Sequence, residues 1–198
     1  MNKRVPIYHT TSKVHFSWLA GLTHLPLERT VHNEPVKPVV HFILAASEEN
    51  LFFGGYWDKV FAKEPEDKKG DFVEGLWESE VLEVFLANSS GTDYVEFNIN
   101  PSGQWWGAHF SDYRKRQGLL NPDRGEVFRE GQAVYLKYPL KNLSIQALKN
   151  SRANVTAVHF VGDQRVEYQS WNWAKQEKPD FHDRKLLARF EVDVWETQ

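Results

Sequence analysis

Two carboxylates carry the most chemical promise in this chain. Glu83 stands between Val81 and Phe85, and Glu96 alternates with Tyr94, Asn98 and Asn100 in Tyr94-Val95-Glu96-Phe97-Asn98-Ile99-Asn100. A buried ionised carboxylate is costly unless it is paired or hydrogen-bonded, so Glu83 needs a partner, such as an Arg or a backbone amide, or a place in a cleft. Glu83 and Glu96 together could act as the acid and nucleophile of a glycosidase, which needs two carboxylates about 5 to 10 Å apart. His182, in Pro179-Asp180-Phe181-His182-Asp183, could be a base oriented by Asp180 or Asp183. No Ser or Thr stands out as its nucleophile, and a hydrogen-bonded loop histidine is the simpler reading.

Aromatic side chains offer a second kind of chemistry. Eight tryptophans accompany thirteen Phe and seven Tyr, and an indole face can stack on the apolar C–H face of a sugar ring while polar groups bind its hydroxyls. Tyr94, Glu96 and Asn98 would supply such groups, with Arg114 as a further donor. Trp105 and Trp106 are adjacent, so in a regular strand they point to opposite faces. Trp106 shares its side with Ala108 and Phe110, the more core-like set, so Trp105 is expected to face a ligand. Trp171 and Trp173 are two residues apart and share a face, either as a stacking platform or as a wall of the core.

The elements that must position these residues are strands. Hydrophobic alternation of period two recurs along the chain, whereas 3.6-residue periodicity is scarce. Strands are expected at 5–8, 14–19, 39–46, 51–57, 80–86, 94–100, 104–110, 127–129, 133–138, 155–161, 165–171 and 186–192. Turn signals lie between them, among them Gly54-Gly55, Asn88-Ser89-Ser90-Gly91 and Pro101-Ser102-Gly103. Residues 139–150 are expected to hold a short helix, and the charged stretch 64–71 a solvated loop. The fold class that follows is all-β, a single antiparallel β-sandwich with a jelly-roll-like course and at most one or two short helices. In the segment 94–100, Val95, Phe97 and Ile99 face the core and the polar residues face the other way. An ordinary solvated outer face would give the same pattern.

Composition removes several functions. The 198 residues, the size of one domain, carry 24 basic and 27 acidic side chains, so no basic excess exists to release counterions from nucleic acid. Cysteine is absent and Met1 is the sole methionine, which excludes disulfides, thiolate metal sites and an internal Met ligand for haem. A bis-His haem is the remaining and unfavoured option. Residues 5–12 lack the continuous apolar stretch of a secretory signal, and the compact apolar run 42–46 is too short to cross a bilayer. A soluble, cytoplasmic protein is expected.

The stretch Leu76-Trp77-Glu78-Ser79-Glu80-Val81-Leu82-Glu83-Val84-Phe85, followed by residues 94–98, resembles the family-9 carbohydrate-binding modules, within the wider group of DOMON-like β-sandwiches. The longer pattern LWESEVLEVFLA, YVEFNINPSGQWWGAHFSDYR and SWNWAKQEKPDFHD is similar to small stand-alone bacterial DOMON-like proteins, and it covers roughly residues 70 to 185. The resemblance implies a sandwich and a saccharide ligand held without catalysis. Trp77 and Glu83 match the motif, and Tyr94 and Asn98 match the polar strand beside it. Where the modules offer an Arg to the ligand, this chain has Glu96, an acceptor in place of a donor. The resemblance also implies a structural calcium, for which this chain has acidic loop residues but no recognisable ligand spacing. A glycoside hydrolase and a protein-interaction scaffold are the alternatives.

Overall fold

The computed structural model describes residues 3–11, 14–59, 67–90, 92–143, 150–161, 165–174 and 178–194. Its elements in chain order are β1 (Val5–His9), α1 (Phe16–Gly21), β2 (Leu25–Arg29), β3 (Pro35–Ala46), β4 (Asn50–Trp57), β5 (Val81–Ala87) and β6 (Tyr94–Ile99). There follow β7 (Trp105–Asp112), β8 (Lys115–Leu119), β9 (Glu126–Glu130), β10 (Ala133–Pro139), β11 (Arg152–Val161), β12 (Arg165–Ser170) and β13 (Ala188–Val194). The protein is all-β. Its described strands form one curled, hydrogen-bonded path, β8-β7-β6-β5-β11-β13-β1-β3-β4-β10-β9, with β12 on β11 and β2 on β3.

Most neighbours are antiparallel, but β1 runs parallel to both β13 and β3. Parallel neighbours need a long crossover, and the chain between β1 and β3 is long enough to hold α1 and β2. Three sequence expectations are corrected here. Of 14–19, residues 16–19 belong to the helix Phe16–Gly21, and no strand forms there. Leu19 of α1 is buried, and Phe16 packs its ring on Phe128 at 5.0 Å and Phe52 at 6.1 Å. Gly54-Gly55 lies within β4, not in a turn. A Cβ on Gly54 would stand 2.1 Å from the Val134 carbonyl oxygen, and one on Gly55 1.8 Å from that of His41, so close strand approach explains both glycines. Residues 140–142 form a single 3-10 turn, and residues 144–149 of the expected helix lie outside the described residues. So do residues 64–66 of the charged loop; its next part is tied to the β6–β7 turn by Lys68 N–H to Ser102 O and Gly70 N–H to Gly103 O.

The main core fills the inside of the curl. Leu82, Val84 and Leu86 of β5, Val95, Phe97 and Ile99 of β6, and Ala153, Val155 and Ala157 of β11 meet Phe42 and Leu44 of β3, Phe53 of β4, and Leu136 and Tyr138 of β10. Burying a side chain such as Leu, Val or Phe is worth roughly 1.5–3 kcal/mol, so this face fixes the alternation of β5, β6 and β11. The opposite face of the same strands is thereby set as well. Among the described residues no helix is long and apolar enough to cross a membrane.

Candidate functional site

The outward face of β5–β6–β7 and β11 is the floor of a cavity of about 530 Å³, a usual size for a small-molecule site, roughly 300–1,000 Å³. Register brings the floor together. Glu83 lies opposite Asn98 and Thr156, Phe85 opposite Glu96, Glu96 opposite Ala108, Asn98 opposite Trp106 and Tyr94 opposite Phe110. The walls are loops: residues 71–79 bring Glu74 and Trp77, the β7–β8 turn brings Arg114, and 178–183 bring Phe181 and His182.

Glu83 and Glu96 are 3% and 4% exposed. The Thr156 hydroxyl donates to Glu83 Oε2 at 2.9 Å, and Asn98 Nδ2 donates to Glu96 Oε1 at 3.1 Å. Burial, followed by the nearby Glu96 charge, raises Glu83 above the ordinary carboxylate range, and the Thr156 bond offsets only part of this. Burial likewise raises Glu96, against the Asn98 bond and the Arg114 charge. Two close buried carboxylates cannot both ionise cheaply, so the pair retains protons toward neutral pH.

His182 sits among aromatic rings, 5.2 Å from Phe85 and 5.4 Å from Phe110 between centroids. Burial, aided by the Arg114 charge and opposed by Asp180, lowers it to about 4. It is neutral at physiological pH. The Arg114 backbone N–H donates to the Tyr94 hydroxyl at 3.1 Å, and that hydroxyl lies 2.7 Å from His182 Nδ1. With Tyr94 donating to Nδ1, the ring proton sits on Nε2, 3.8 Å from Glu96 Oε2. Burial pushes Tyr94 up to about 12, so it stays a hydroxyl. Asp180 orients the loop, not the imidazole. It accepts from the His182 backbone N–H at 3.2 Å, from Arg114 Nη2 at 3.0 Å and from the Tyr113 hydroxyl at 2.6 Å. Arg114 has φ 52°, a left-handed conformation uncommon outside glycine, at the turn that delivers its N–H to Tyr94.

At the other wall, Trp106 Nε1 donates to Glu74 Oε2 at 3.0 Å, and Trp77 stands edge-on to Trp106 with centroids 4.8 Å apart. Arg116 donates to the other Glu74 oxygen, and that bond is the first cause holding the Glu74 carboxyl below its ordinary range.

The structure therefore joins Glu83, Glu96 and Arg114 with Trp77 at one cavity, and sets Tyr94 and Asn98 just behind as supports for His182 and Glu96. Asn100 is used elsewhere. Its side-chain oxygen accepts the Ser102 and Gln104 N–H groups, closing the turn in which Gly103 takes φ 81°. Trp105 is corrected: it is fully buried in the main core, against Phe72 and Tyr138. Ile99 pairs with Trp105 across the hairpin, and paired residues share a face, so Trp105 must follow Ile99 inward and Trp106 outward. Trp171 and Trp173 are also away from the cavity. Trp171 lies edge-on to Phe42 and donates to the Arg4 carbonyl at 2.8 Å, while Trp173 is an exposed side chain. Trp106, Phe110, Phe181 and Glu74 were missed by sequence reasoning. Counting outward from the Asn100–Gln104 turn would have placed Trp106 and Phe110; the loop residues have no comparable signal. Among the described residues, no group of three or more His, Asp or Glu side chains is placed to hold a metal ion.

No family model and no curated protein matches the chain by sequence. Solved structures do match its fold. A candidate carbohydrate-binding protein from Bacteroides uniformis superposes with a TM-score of 0.72 at 15% identity, covering 97% of this chain and 99% of the other. A family-9 carbohydrate-binding module from Caldicellulosiruptor kristjanssonii in complex with glucose gives 0.60 at 10% identity, over 99% and 98%. The cellotriose complex of a family-9 module from the same organism gives 0.56 at 10% identity, over 99% and 95%.

Proposed function

We propose that this chain is a non-catalytic carbohydrate-binding protein whose single sandwich-like domain takes a sugar in the cavity over β5–β7. The observation that carries the reading is the division of that cavity. Its apolar lining is indole surface from Trp77 and Trp106 with the rings of Phe85, Phe110 and Phe181, and among these converge the polar groups of Glu83, Glu96, Arg114 and His182. An apolar platform with a few convergent polar groups suits a sugar ring, whose faces carry C–H and whose rim carries hydroxyls. The same fold in modules bound to glucose and to cellotriose supports the choice of ligand. Tyr94 and Asn98 act from behind, holding His182 and Glu96. The carboxyl floor takes the place of the arginine that the modules are expected to offer, so hydroxyls are read here by groups that can accept and, when protonated, donate.

A thermal-shift screen of mono- and oligosaccharides tests this. A sugar that raises Tm for the wild type and for Trp173→Ala, and raises it less for Trp77→Ala at the same concentration, is the expected result. No stabilising sugar, or one indifferent to Trp77, contradicts it. Affinity should be modest, about 4 to 8 kcal/mol. A second reading, glycoside hydrolysis, is favoured by one observation: Glu83 and Glu96 face the same cavity. Turnover of an aryl glycoside, lost in Glu83→Gln, would support hydrolysis over binding alone.

A further inference from the structure

We propose that the ligand of this cavity is a sugar bearing a protonated amino group, with the ammonium seated on the Glu83 and Glu96 carboxyls. The inference rests on the carbohydrate reading and adds the ligand's charge. Its basis is an imbalance among the cavity's charged groups. Arg116 is matched by Glu74, and Arg114 by Asp180. Glu83 and Glu96 have no such match. Their described side-chain partners are the Thr156 hydroxyl, the Asn98 amide and, at 3.8 Å, the neutral His182 ring. Two carboxyls more than nine-tenths buried thus face a cavity that Arg114 and Arg116 also line, yet among the described residues neither carboxyl has its own ion pair with a lysine or arginine.

Such a pair is costly in an empty protein and is relieved in two ways, by retaining protons or by meeting a cation. An ammonium group has three donors and a full charge, and two adjacent carboxylates provide its acceptors. A neutral hydroxyl gains less from the same floor. The sugar ring gives the remaining contacts, against Trp77 and Trp106, and places the amine at the floor. Other charged or titratable groups face the pair from Tyr94 on β6, Arg114 in the β7–β8 turn, Arg116 on β8, Glu74 in 71–79, and Asp180 and His182 in 178–183. The Arg114 charge reaches Glu96, but each guanidinium is held by its own carboxylate, Asp180 or Glu74, which offsets much of its repulsion of a ligand cation. Ammonium binding should displace protons from the pair.

The test is isothermal titration of the full chain near pH 7 with D-glucosamine, D-glucose, N-acetyl-D-glucosamine and methylammonium. Glucosamine should bind about tenfold or more tightly than glucose or the N-acetyl sugar, the scale of a charge-assisted hydrogen bond. Its heat should vary with buffer ionisation enthalpy, as proton release requires. In Glu96→Gln, and in Glu83→Gln, where the amide still accepts from Thr156, the advantage of glucosamine over glucose should disappear, whatever the change in glucose affinity itself. Glucose binding as tightly as glucosamine overturns the ammonium assignment and leaves the carbohydrate reading intact. Methylammonium binding without any of the sugars, or no binding by any of the four probes, overturns both.

Discussion

Trp105 and Trp106 are neighbours in one strand, yet they belong to two different regions. Trp105 faces the interior with Ile99 and Phe97, and its indole N–H has no hydrogen-bond partner among the described residues, so packing holds the ring. Trp106 faces outward with Asn98, donates to Glu74, and meets a second tryptophan edge-on at a cavity. On the inner face of β5–β7 the side chains are apolar up to His109, which lies opposite Val95 toward the far end of β7; on the outer face carboxyls, an amide and a hydroxyl stand among the rings. The inner face stabilises the sheet by burial. The outer face accepts a cost, two carboxyls in a desolvated floor, which serves binding better than folding.

The largest effect should separate these regions outright. Trp105→Ala should lose about 3–5 kcal/mol in a denaturant melt, whereas Trp77→Ala, partly exposed at the cavity, should change stability by under about 1 kcal/mol and weaken sugar binding up to tenfold. Equal stability losses would erase the distinction. Next in size is Gly125→Ala. A Cβ there would stand 2.1 Å from the Trp105 ring, and overpacking of this kind costs about 1–3 kcal/mol. An unchanged melt would mean that the indole is free to move.

Protonation gives a smaller and signed effect. Glu83 and Glu96 are raised in the folded state, so the native protein binds more protons than the unfolded chain, and stability falls as pH rises through the raised range. His182 acts oppositely. Its folded value of about 4 lies below the ordinary 6.5, so it withdraws stability as pH falls from 6.5 toward 4. Above pH 6.5 only the carboxyls remain, and Tm should decline toward pH 8 in the wild type and less in Glu83→Gln. A rising or flat wild-type profile would contradict the paired floor. The smallest effect belongs to Trp173→Ala, which should shift stability by less than about 0.5 kcal/mol and leave sugar binding unchanged. Loss of binding there would place the sugar at Trp173, outside the cavity over β5–β7.

The strands were legible because burial on one face imposes period two, and the inward set Val95, Phe97 and Ile99 could be read from that alone. Glu83 was legible as a carboxylate among apolar neighbours, and Glu96 as one of the polar row turned away from the core. Which tryptophan faced the cavity was not, since the apolar set Trp106, Ala108 and Phe110 looks like core in sequence. A cavity wall that stacks on rings has the composition of a core, and only the hairpin register through Asn100 and Gln104 tells them apart. The α1 segment failed for a related reason: six residues are too few to display a helical period, and tertiary packing of Phe16 and Leu19 decided it. The loops that carry Glu74, Arg114 and His182 have no periodicity to betray their convergence.

Two-dimensional NMR of the indole N–H groups during a sugar titration tests the central claim most directly. The Trp77 and Trp106 signals should move, with Trp57, Trp105 and Trp173 unchanged. Movement of Trp173 or Trp171 in their place, or saturating sugar that leaves Trp77 and Trp106 still, would contradict it.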